Sequence, residues 1–264
     1  MTNSLAALME DLGAEQCALD DVVATNAEAQ WRHSTPSPGW DVADQIAHLT
    51  YFDEAAAVAI LDPVRFRSDR DELFARALEG CLDQFTLSPL RSLSPAELLE
   101  RWREARRALA VAASTLSPEA RVEWYGPSMS TTSFLSARLM ETWAHGTDVV
   151  DALGASRPAT DRLVHVARLG YLTRRWSYQV RSETVPEGDL RLELTSPSGT
   201  VWTWGPEDAD DTVRGSAEEF CLVVTQRRHF DDTSLEAGEL GAHWLVRAQA
   251  FAGVATSGPE RRAS

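Results

Sequence analysis

The sequence contains no lysine, so all 25 of its basic residues are arginines. This absence excludes catalysis through a lysine Schiff base and a nucleotide-binding P-loop, because both need the lysine amine. The sequence also lacks a GxSxG motif, which argues against a serine nucleophile of the α/β-hydrolase kind. Any anionic ligand must therefore be held by arginine guanidinium groups or by backbone N–H groups.

Cysteine is also scarce. The three cysteines, Cys17, Cys81 and Cys221, are widely spaced and form no CxxC pair. This pattern predicts reduced thiols in a cytoplasmic protein rather than a disulfide framework. The opening stretch MTNSLAALMEDLGAE lacks the basic region and apolar core of a signal peptide, and no apolar run reaches transmembrane length. We therefore expect a cytoplasmic protein that does not act at a membrane.

Positive charge is too sparse for a nucleic-acid-binding surface. Acidic residues outnumber basic ones by 40 to 25, which gives a net charge of −15, and the acids are scattered rather than gathered in a tail. A nucleic-acid partner would require a basic stripe, so we expect none and predict a small-molecule substrate instead. A chain of 264 residues with 44% hydrophobic residues is large enough for one large or two modest domains.

Most of the first two-thirds of the sequence has helical periodicity. Asp41 is a predicted N-cap for a helix containing QIAHLTYFD, and Ser94 with Glu97 predicts a capping box at the start of another helix. A further helix is expected over about residues 133–153, ending at the favourable C-cap Gly154. Together these segments predict an up-and-down helical bundle.

The pattern changes near residue 183. The stretch DLRLELTSPSGTVWTWG alternates apolar and polar residues around a turn sequence, which predicts a β-hairpin over residues 190–204. Two helical stretches follow, SAEEFCLVVTQRRHF and LGAHWLVRAQAFAG. We place a boundary within residues 181–189 and expect a mainly α protein, with a helical domain over residues 1–182 and a smaller α/β domain over residues 183–264.

The segment METWAHGTDVV contains three potential metal-site residues on one face of a helix. Glu141, His145 and Asp148 are spaced i, i+4 and i+7. Such a stripe is commonly a solvated face, but Glu141 and His145 could also bind one ion together. His48, among apolar neighbours on another helix, is the candidate third ligand, although a lone buried histidine is often only hydrogen-bonded. A divalent cation would offset the cost of gathering these buried groups.

Several nearby residues have two possible interpretations. Asp148 is expected either to accept a hydrogen bond from His145 or to be an exposed acid. Asp44 and Asp53 flank His48 and are expected to be solvated or capping acids, with Asp44 as the alternative ligand because it lies one turn before His48. The remaining histidines fit a metal site less well; they are His33, His165, His229 and His243.

Two adjacent arginines follow a predicted helix in the C-terminal domain. Arg227 and Arg228, next to His229, could simply compensate the helix dipole. They could equally form a clamp for the carboxylate of a substrate or cofactor. Sequence alone leaves both possibilities open.

Three segments resemble the maleylpyruvate isomerase-type, metal-binding members of the DinB-like superfamily. They are STPSPGWDVADQIAHLTYFD, GPSMSTTSFLSARLMETWAHGTDVVDALG and AQAFAG, and they contain a W-x₇-H pattern and an E-x-W-x-H-x-x-D pattern. The resemblance implies a four-helix bundle that binds one divalent ion, usually zinc, with nickel as the alternative. By the match the ligands are His48, Glu141 and His145.

The resemblance also implies a function. It points to a low-molecular-weight thiol partner, mycothiol, and to a catalytic arginine in the C-terminal domain, for which Arg227 or Arg228 is the nearest match. We therefore expect a metal-dependent isomerase or thiol transferase acting on a small carboxylate or carbonyl compound. The segment VRGSAEEFCLVVTQRRHFDDTSLE departs from the isomerase pattern, so the resemblance does not fix the substrate. The alternatives are a thiol-independent Lewis-acid isomerase or cyclase and a non-catalytic metal- or ligand-binding module.

Overall fold

The structure is a computed structural model that describes residues 4–261. Its contacts divide the chain into two compact units, Met1–Arg157 and Pro158–Ser264. The chain is mainly helical, as expected, and strands form only small sheets. Within residues 4–261, no helix combines the length and the apolar character that crossing a membrane would require.

The first unit is built on a four-helix bundle. Its long helices are α1, α2, α6 and α7. Helices α1 and α2 each pack against both α6 and α7. A short 3₁₀ helix and three shorter α-helices occupy the connections, and two short strands form an antiparallel pair before α7. The elements are α1 (Leu5–Ala24), a 3₁₀ helix (Glu28–Arg32), α2 (Val42–Leu61), α3 (Pro63–Leu78), α4 (Leu82–Thr86), α5 (Ser88–Arg91), α6 (Pro95–Ala113), β1 (Arg121–Val122), β2 (Met129–Ser130) and α7 (Thr131–Leu153).

The helix termini follow the capping signals of the sequence. Asp41 caps α2 in a capping box with Asp44, and the predicted box of Ser94 and Glu97 begins α6. Helix α7 begins two residues earlier than expected because the Ser130 side chain accepts a hydrogen bond from the backbone N–H of Ser133. It ends at Gly154, whose φ of 60° gives the left-handed C-cap that the sequence predicts.

Over its described residues, 158–261, the second unit combines a three-stranded sheet with four short α-helices and one 3₁₀ helix. The sheet order is β4-β3-β5, in which β3 and β4 form the predicted antiparallel hairpin and β3 and β5 run parallel. Helix α8 packs against α10 and β4. The elements are α8 (Leu163–Leu172), α9 (Arg174–Gln179), β3 (Leu190–Thr195), β4 (Val201–Trp204), β5 (Asp211–Ser216), α10 (Ala217–Val224), a 3₁₀ helix (Phe230–Asp232) and α11 (Glu239–Leu245).

The division between the units differs from the boundary expected within residues 181–189. It lies after Arg157, so α8 and α9 belong to the second unit. Two hydrogen bonds join α9 to the C-terminal segment of this unit. The indole Nε1 of Trp176 donates to the carbonyl of Phe251 at 3.0 Å, and Ser177 accepts from the backbone N–H of Gln249 at 3.0 Å. The change of periodicity near residue 183 coincides with the change from helix to strand, which lies inside the second compact unit.

A buried ion pair lies inside the bundle. The Asp53 carboxylate on α2 is fully buried and accepts two hydrogen bonds from the Arg138 guanidinium on α7, at 2.9 and 3.1 Å. Its other oxygen accepts from Gln16 on α1 and from the Trp102 indole on α6, each at 3.3 Å. Asp53 is therefore not the solvated or capping acid that the sequence predicts; an arginine that donates twice to one of its oxygens compensates for its burial.

This arrangement predicts a large stability loss when one partner is removed. Replacing Arg138 by Leu leaves the Asp53 carboxylate buried and without its cation, so we expect the free energy of unfolding to fall by about 3–5 kcal/mol. Denaturant titration followed by circular dichroism measures the change. The exposed pair of Arg101 with Glu54 provides a matched control, since Arg101→Leu should cost less than about 1 kcal/mol. Equal losses in the two variants would contradict the assigned role.

Candidate metal centre

Two helices of the first unit bring the three predicted metal ligands together. Helix α2 supplies His48, and α7 supplies Glu141 and His145 one turn apart. The Oε2 atom of Glu141 lies 3.1 Å from Nε2 of His145 and 3.9 Å from Nε2 of His48. One potential ligand atom from each residue lies within 4.8 Å of the others, and no further group of this kind occurs among residues 4–261. The two imidazole nitrogens thus face the same carboxylate oxygen.

The site is partly shielded from solvent. The side chains of His48, Glu141 and His145 are 19%, 22% and 11% exposed, so the cluster is mostly buried but part of each side chain contacts solvent. Burial alone would raise the pKa of the Glu141 carboxyl, but the adjacent imidazoles of His145 and His48 outweigh it and hold this pKa well below its usual range. Glu141 is therefore a carboxylate at neutral pH, in the charge state that a metal ligand requires.

Gln45, which the sequence analysis did not single out, contacts one of the ligands. The Oε1 atom of Gln45 lies 2.5 Å from Nδ1 of His145, on the ring edge opposite Glu141. Asp148, the acid expected either to accept a hydrogen bond from His145 or to be exposed, is buried and accepts a hydrogen bond from the hydroxyl of Ser37 at 3.1 Å. Its hydrogen bond with His145 stays a prediction. Gln45 lies three residues before His48 on α2, a spacing that puts both side chains on one face of the helix.

Aromatic rings surround the two histidines. The Trp40 ring centroid lies 5.2 Å from that of His48 and 6.0 Å from that of His145, and Phe52 lies 4.6 Å from His48 on its own helix. The Trp40 indole is held in place by a 2.8 Å hydrogen bond from Nε1 to Asp83. These rings give the site a low-polarity wall, which strengthens electrostatic interactions within it.

The other acidic candidate near His48 has a structural role. Asp44, the alternative ligand, forms a bidentate ion pair with Arg91 at 2.7 and 2.9 Å and also completes the capping box of α2. Its hydrogen bonds raise the pKa of the Arg91 guanidinium above its usual value, as expected for a tight ion pair. Asp44 therefore anchors the start of α2 to the segment before α6.

The remaining histidines are not members of the three-residue cluster. His33 is exposed after the first 3₁₀ helix. His165, His229 and His243 belong to the second unit, where Tyr178 and Nδ1 of His243 are hydrogen-bonded at 2.9 Å and His229 caps a 3₁₀ helix. The one group of potential ligands among residues 4–261 contains none of these four histidines.

The two predicted clamp arginines lie in the second unit beyond the end of a helix. Helix α10 ends at Val224, earlier than expected, because Gln226 adopts a left-handed conformation with a φ of 59°. The backbone N–H groups of Arg227 and Arg228 both donate to the carbonyl of Leu222. Both side chains are half-buried, and Nη1 of Arg227 donates to the carbonyl of Thr225 at 2.7 Å. Arg227 and Arg228 therefore lie in a turn after the end of α10 and not in the helix itself.

Sequence and structure comparisons agree on the relatives of this chain. A family model described as the mycothiol maleylpyruvate isomerase N-terminal domain matches residues 12–150. A second model, described as wyosine base formation, matches the short stretch 188–237. The uncharacterized proteins MT0041 and Rv0036c of Mycobacterium tuberculosis are each 44% identical to this chain over 247 residues, which span 92% of it and 94% of the relative.

Solved structures with a similar fold carry related names. A crystal structure of the mycothiol-dependent maleylpyruvate isomerase matches with a TM-score of 0.57 at 20% identity. The match covers 89% of this chain and 93% of the isomerase chain. A histidine-to-alanine mutant of that enzyme gives a TM-score of 0.56 at 19% identity, with coverage of 85% and 90%. These likenesses establish the fold.

The match over residues 12–150 includes all of α2 and most of α7, with His48, Glu141 and His145 inside it, and it spans more than half of the chain. The chain therefore belongs to the mycothiol maleylpyruvate isomerase N-terminal domain family.

Proposed function

We propose that the protein is a metal-dependent enzyme of the maleylpyruvate isomerase and thiol S-transferase type. Its substrate is a small carboxylate or carbonyl compound, and its partner is a low-molecular-weight thiol such as mycothiol. The observation that carries the proposal is the convergence of His48, Glu141 and His145, each of which offers a ligand atom within 4.8 Å of the other two. The family membership of the chain supports the same chemistry.

The residues at the site fit a divalent ion. Two imidazole nitrogens and one carboxylate oxygen form a donor set that suits zinc, with nickel as the alternative. Three protein ligands also match catalytic zinc sites, which keep a further coordination position for water or substrate. A substrate would approach the solvent-exposed parts of the Glu141 and His48 side chains.

The side chains around the ligands prepare the site for this chemistry. A divalent ion there would supply positive charge that lowers the pKa of a thiol or polarises a carbonyl oxygen. Glu141 contributes the negative charge that holds a cation, and both imidazoles bind as neutral donors. Trp40 and Phe52 exclude water from one side of the histidines, so that charges at the site interact strongly.

Arg227 and Arg228 remain the proposed carboxylate-binding residues. The support for this role is the family resemblance and the chemistry of the guanidinium group, which binds carboxylates through two parallel hydrogen bonds. Since the chain contains no lysine, arginine is the side-chain cation available for such a role. A thiol-independent Lewis-acid enzyme and a non-catalytic binding module are the competing functions, and the experiments below separate them.

Metal analysis tests the ligand set. We expect the protein purified without chelators to contain stoichiometric zinc or nickel, and His145→Ala to lose it because two ligands cannot hold the ion tightly. Inductively coupled plasma mass spectrometry measures the content. His33→Ala, which alters an exposed histidine of the same unit, should retain the metal. Full metal content in His145→Ala would rule out the assignment.

Cobalt substitution tests the thiol. We expect mycothiol to change the visible absorption spectrum of the cobalt-loaded protein, because a thiolate ligand alters the electronic environment of the ion. A change with pyruvate alone, as a probe carbonyl compound, would favour the thiol-independent enzyme. A spectrum that neither mycothiol nor pyruvate changes would favour the non-catalytic module. Cobalt-treated His48→Ala protein serves as the control.

Arginine substitution tests the clamp. In mycothiol-dependent isomerisation of maleylpyruvate, we expect one of Arg227→Ala and Arg228→Ala to lower kcat/KM by roughly thirty- to hundred-fold, since a lost charge-assisted contact costs about 2–3 kcal/mol. Metal content should be unchanged. Arg175→Ala, at an exposed position of the same unit, is the control. Normal turnover by both variants would reject the clamp, and inactivity of the wild-type protein would reject maleylpyruvate as substrate.

A further inference from the structure

We propose that Gln45 is a positioning residue for the metal centre. It holds the His145 ring with its hydrogen on Nδ1, so that the lone pair of Nε2 points to the ion. This inference rests on the proposed metal binding and goes beyond it, because it explains how one ligand is kept in the form that can bind.

The contacts of Gln45 form a short chain of hydrogen bonds. Its side chain is fully buried, with Oε1 2.5 Å from Nδ1 of His145 and Nε2 2.8 Å from Oγ1 of Thr35. The Thr35 hydroxyl is in turn 3.0 Å from the carbonyl oxygen of Trp40. The chain therefore runs from the metal ligand on α7, through α2, to the backbone of the loop before α2.

The last member of this chain fixes the direction of every hydrogen bond in it. A backbone carbonyl can only accept, so the Thr35 hydroxyl donates to Trp40. The Thr35 oxygen then accepts from Gln45, which requires the NH₂ group of the amide to face Thr35. The carbonyl end of Gln45 consequently faces His145 and accepts from Nδ1–H. Nε2, which lies 3.1 Å from the Glu141 carboxylate, is then the nitrogen at which a bound ion would take the place of the proton.

The opposite amide orientation would disable the ligand. An NH₂ group facing His145 would favour a lone pair on Nδ1 and a hydrogen on Nε2, and a protonated nitrogen cannot bind a metal ion. Hydrogen-bond acceptors of this kind commonly fix the tautomer and ring orientation of metal-binding histidines. Within the described part of the chain, His48 makes no comparable hydrogen bond, and its ring is oriented by packing against Trp40 and Phe52.

The neutral amide also sets the charge of the centre. A carboxylate in place of Gln45 would add a negative charge beside the single one of Glu141. With an amide there, a divalent ion and its three ligands carry a net charge of +1. A positive centre favours an anionic thiolate or carboxylate as its next partner.

Zinc affinity of four variants tests the proposal. Gln45→Met keeps the length of the side chain but removes the acceptor, and we expect the zinc dissociation constant to rise roughly ten- to hundred-fold. Gln45→Glu restores an acceptor and should bind zinc at least as tightly as the wild-type protein. Thr35→Val removes the hydroxyl that orients the amide and should weaken binding, whereas Thr35→Ser should not. Competition with a chelating dye measures each constant.

A nitrogen-15 NMR measurement adds a readout that a purely structural role would not change. In the zinc-loaded wild-type protein we expect a His145 ring proton on Nδ1 that exchanges slowly with solvent, and in Gln45→Met we expect that proton to exchange rapidly. Rescue of slow exchange by Gln45→Glu would support positioning. Thermal unfolding of the metal-free variants shows whether each one folds.

The outcomes separate this proposal from the proposed function. If the wild-type protein binds no zinc, or His145→Ala binds it normally, the metal site itself is wrong. If that site is sound but Gln45→Met binds zinc as tightly as the wild-type protein, the positioning role is overturned. Should Gln45→Met fail to fold, the comparison of Thr35→Val with Thr35→Ser decides, and equal affinities in that pair overturn the role.

Discussion

The arrangement of the first unit depends on the buried ion pair between Asp53 and Arg138. Each charge requires the other, because an unpaired charge in the core costs several kcal/mol. Asp53 lies five residues after His48 on α2, and Arg138 lies three residues before Glu141 on α7. A shift of either helix along the other by one residue would separate the ion pair and also move the metal ligands apart. The ion pair thus sets the helix register on which the site is built.

Arginine suits these buried connections because its planar guanidinium can serve several acceptors at once. Arg157 shows the same use at the other end of α7, where it donates to the Glu15 carboxylate at 3.0 Å and to the carbonyl of Trp143 at 2.8 Å. Gly146 makes room for it, since a Cβ atom there would overlap the guanidinium. Although the chain contains no lysine, its interior does contain cations, because arginine side chains supply positive charge together with directional hydrogen-bond donors.

The sequence predicted the parts of the site that depend on local spacing. Glu141 and His145 are one turn apart on one helix, so their convergence follows from helical geometry. His48 was the candidate ligand from another helix, and the family resemblance supported it. Gln45 was missed because a single glutamine belongs to no metal-binding sequence motif. Its orientation depends on hydrogen bonds that involve Thr35 and Trp40, which the sequence does not reveal. Asp53 was predicted to be solvated because its partner Arg138 is 85 residues away along the chain. Helical periodicity indicates which face of a helix is buried, but not which side chain on another helix it meets.

The origin of the ligands in two separate helices has a thermodynamic consequence. His48 and Glu141 are 93 residues apart in the sequence, so the complete donor set exists only when α2 and α7 are packed together. An ion that binds the folded chain and not the unfolded one shifts the folding equilibrium by mass action, by about 2.7 kcal/mol at a free-ion concentration one hundred times the dissociation constant. With the proposed ion bound, the stability of this bundle would depend on the concentration of free metal as well as on the packing of its core.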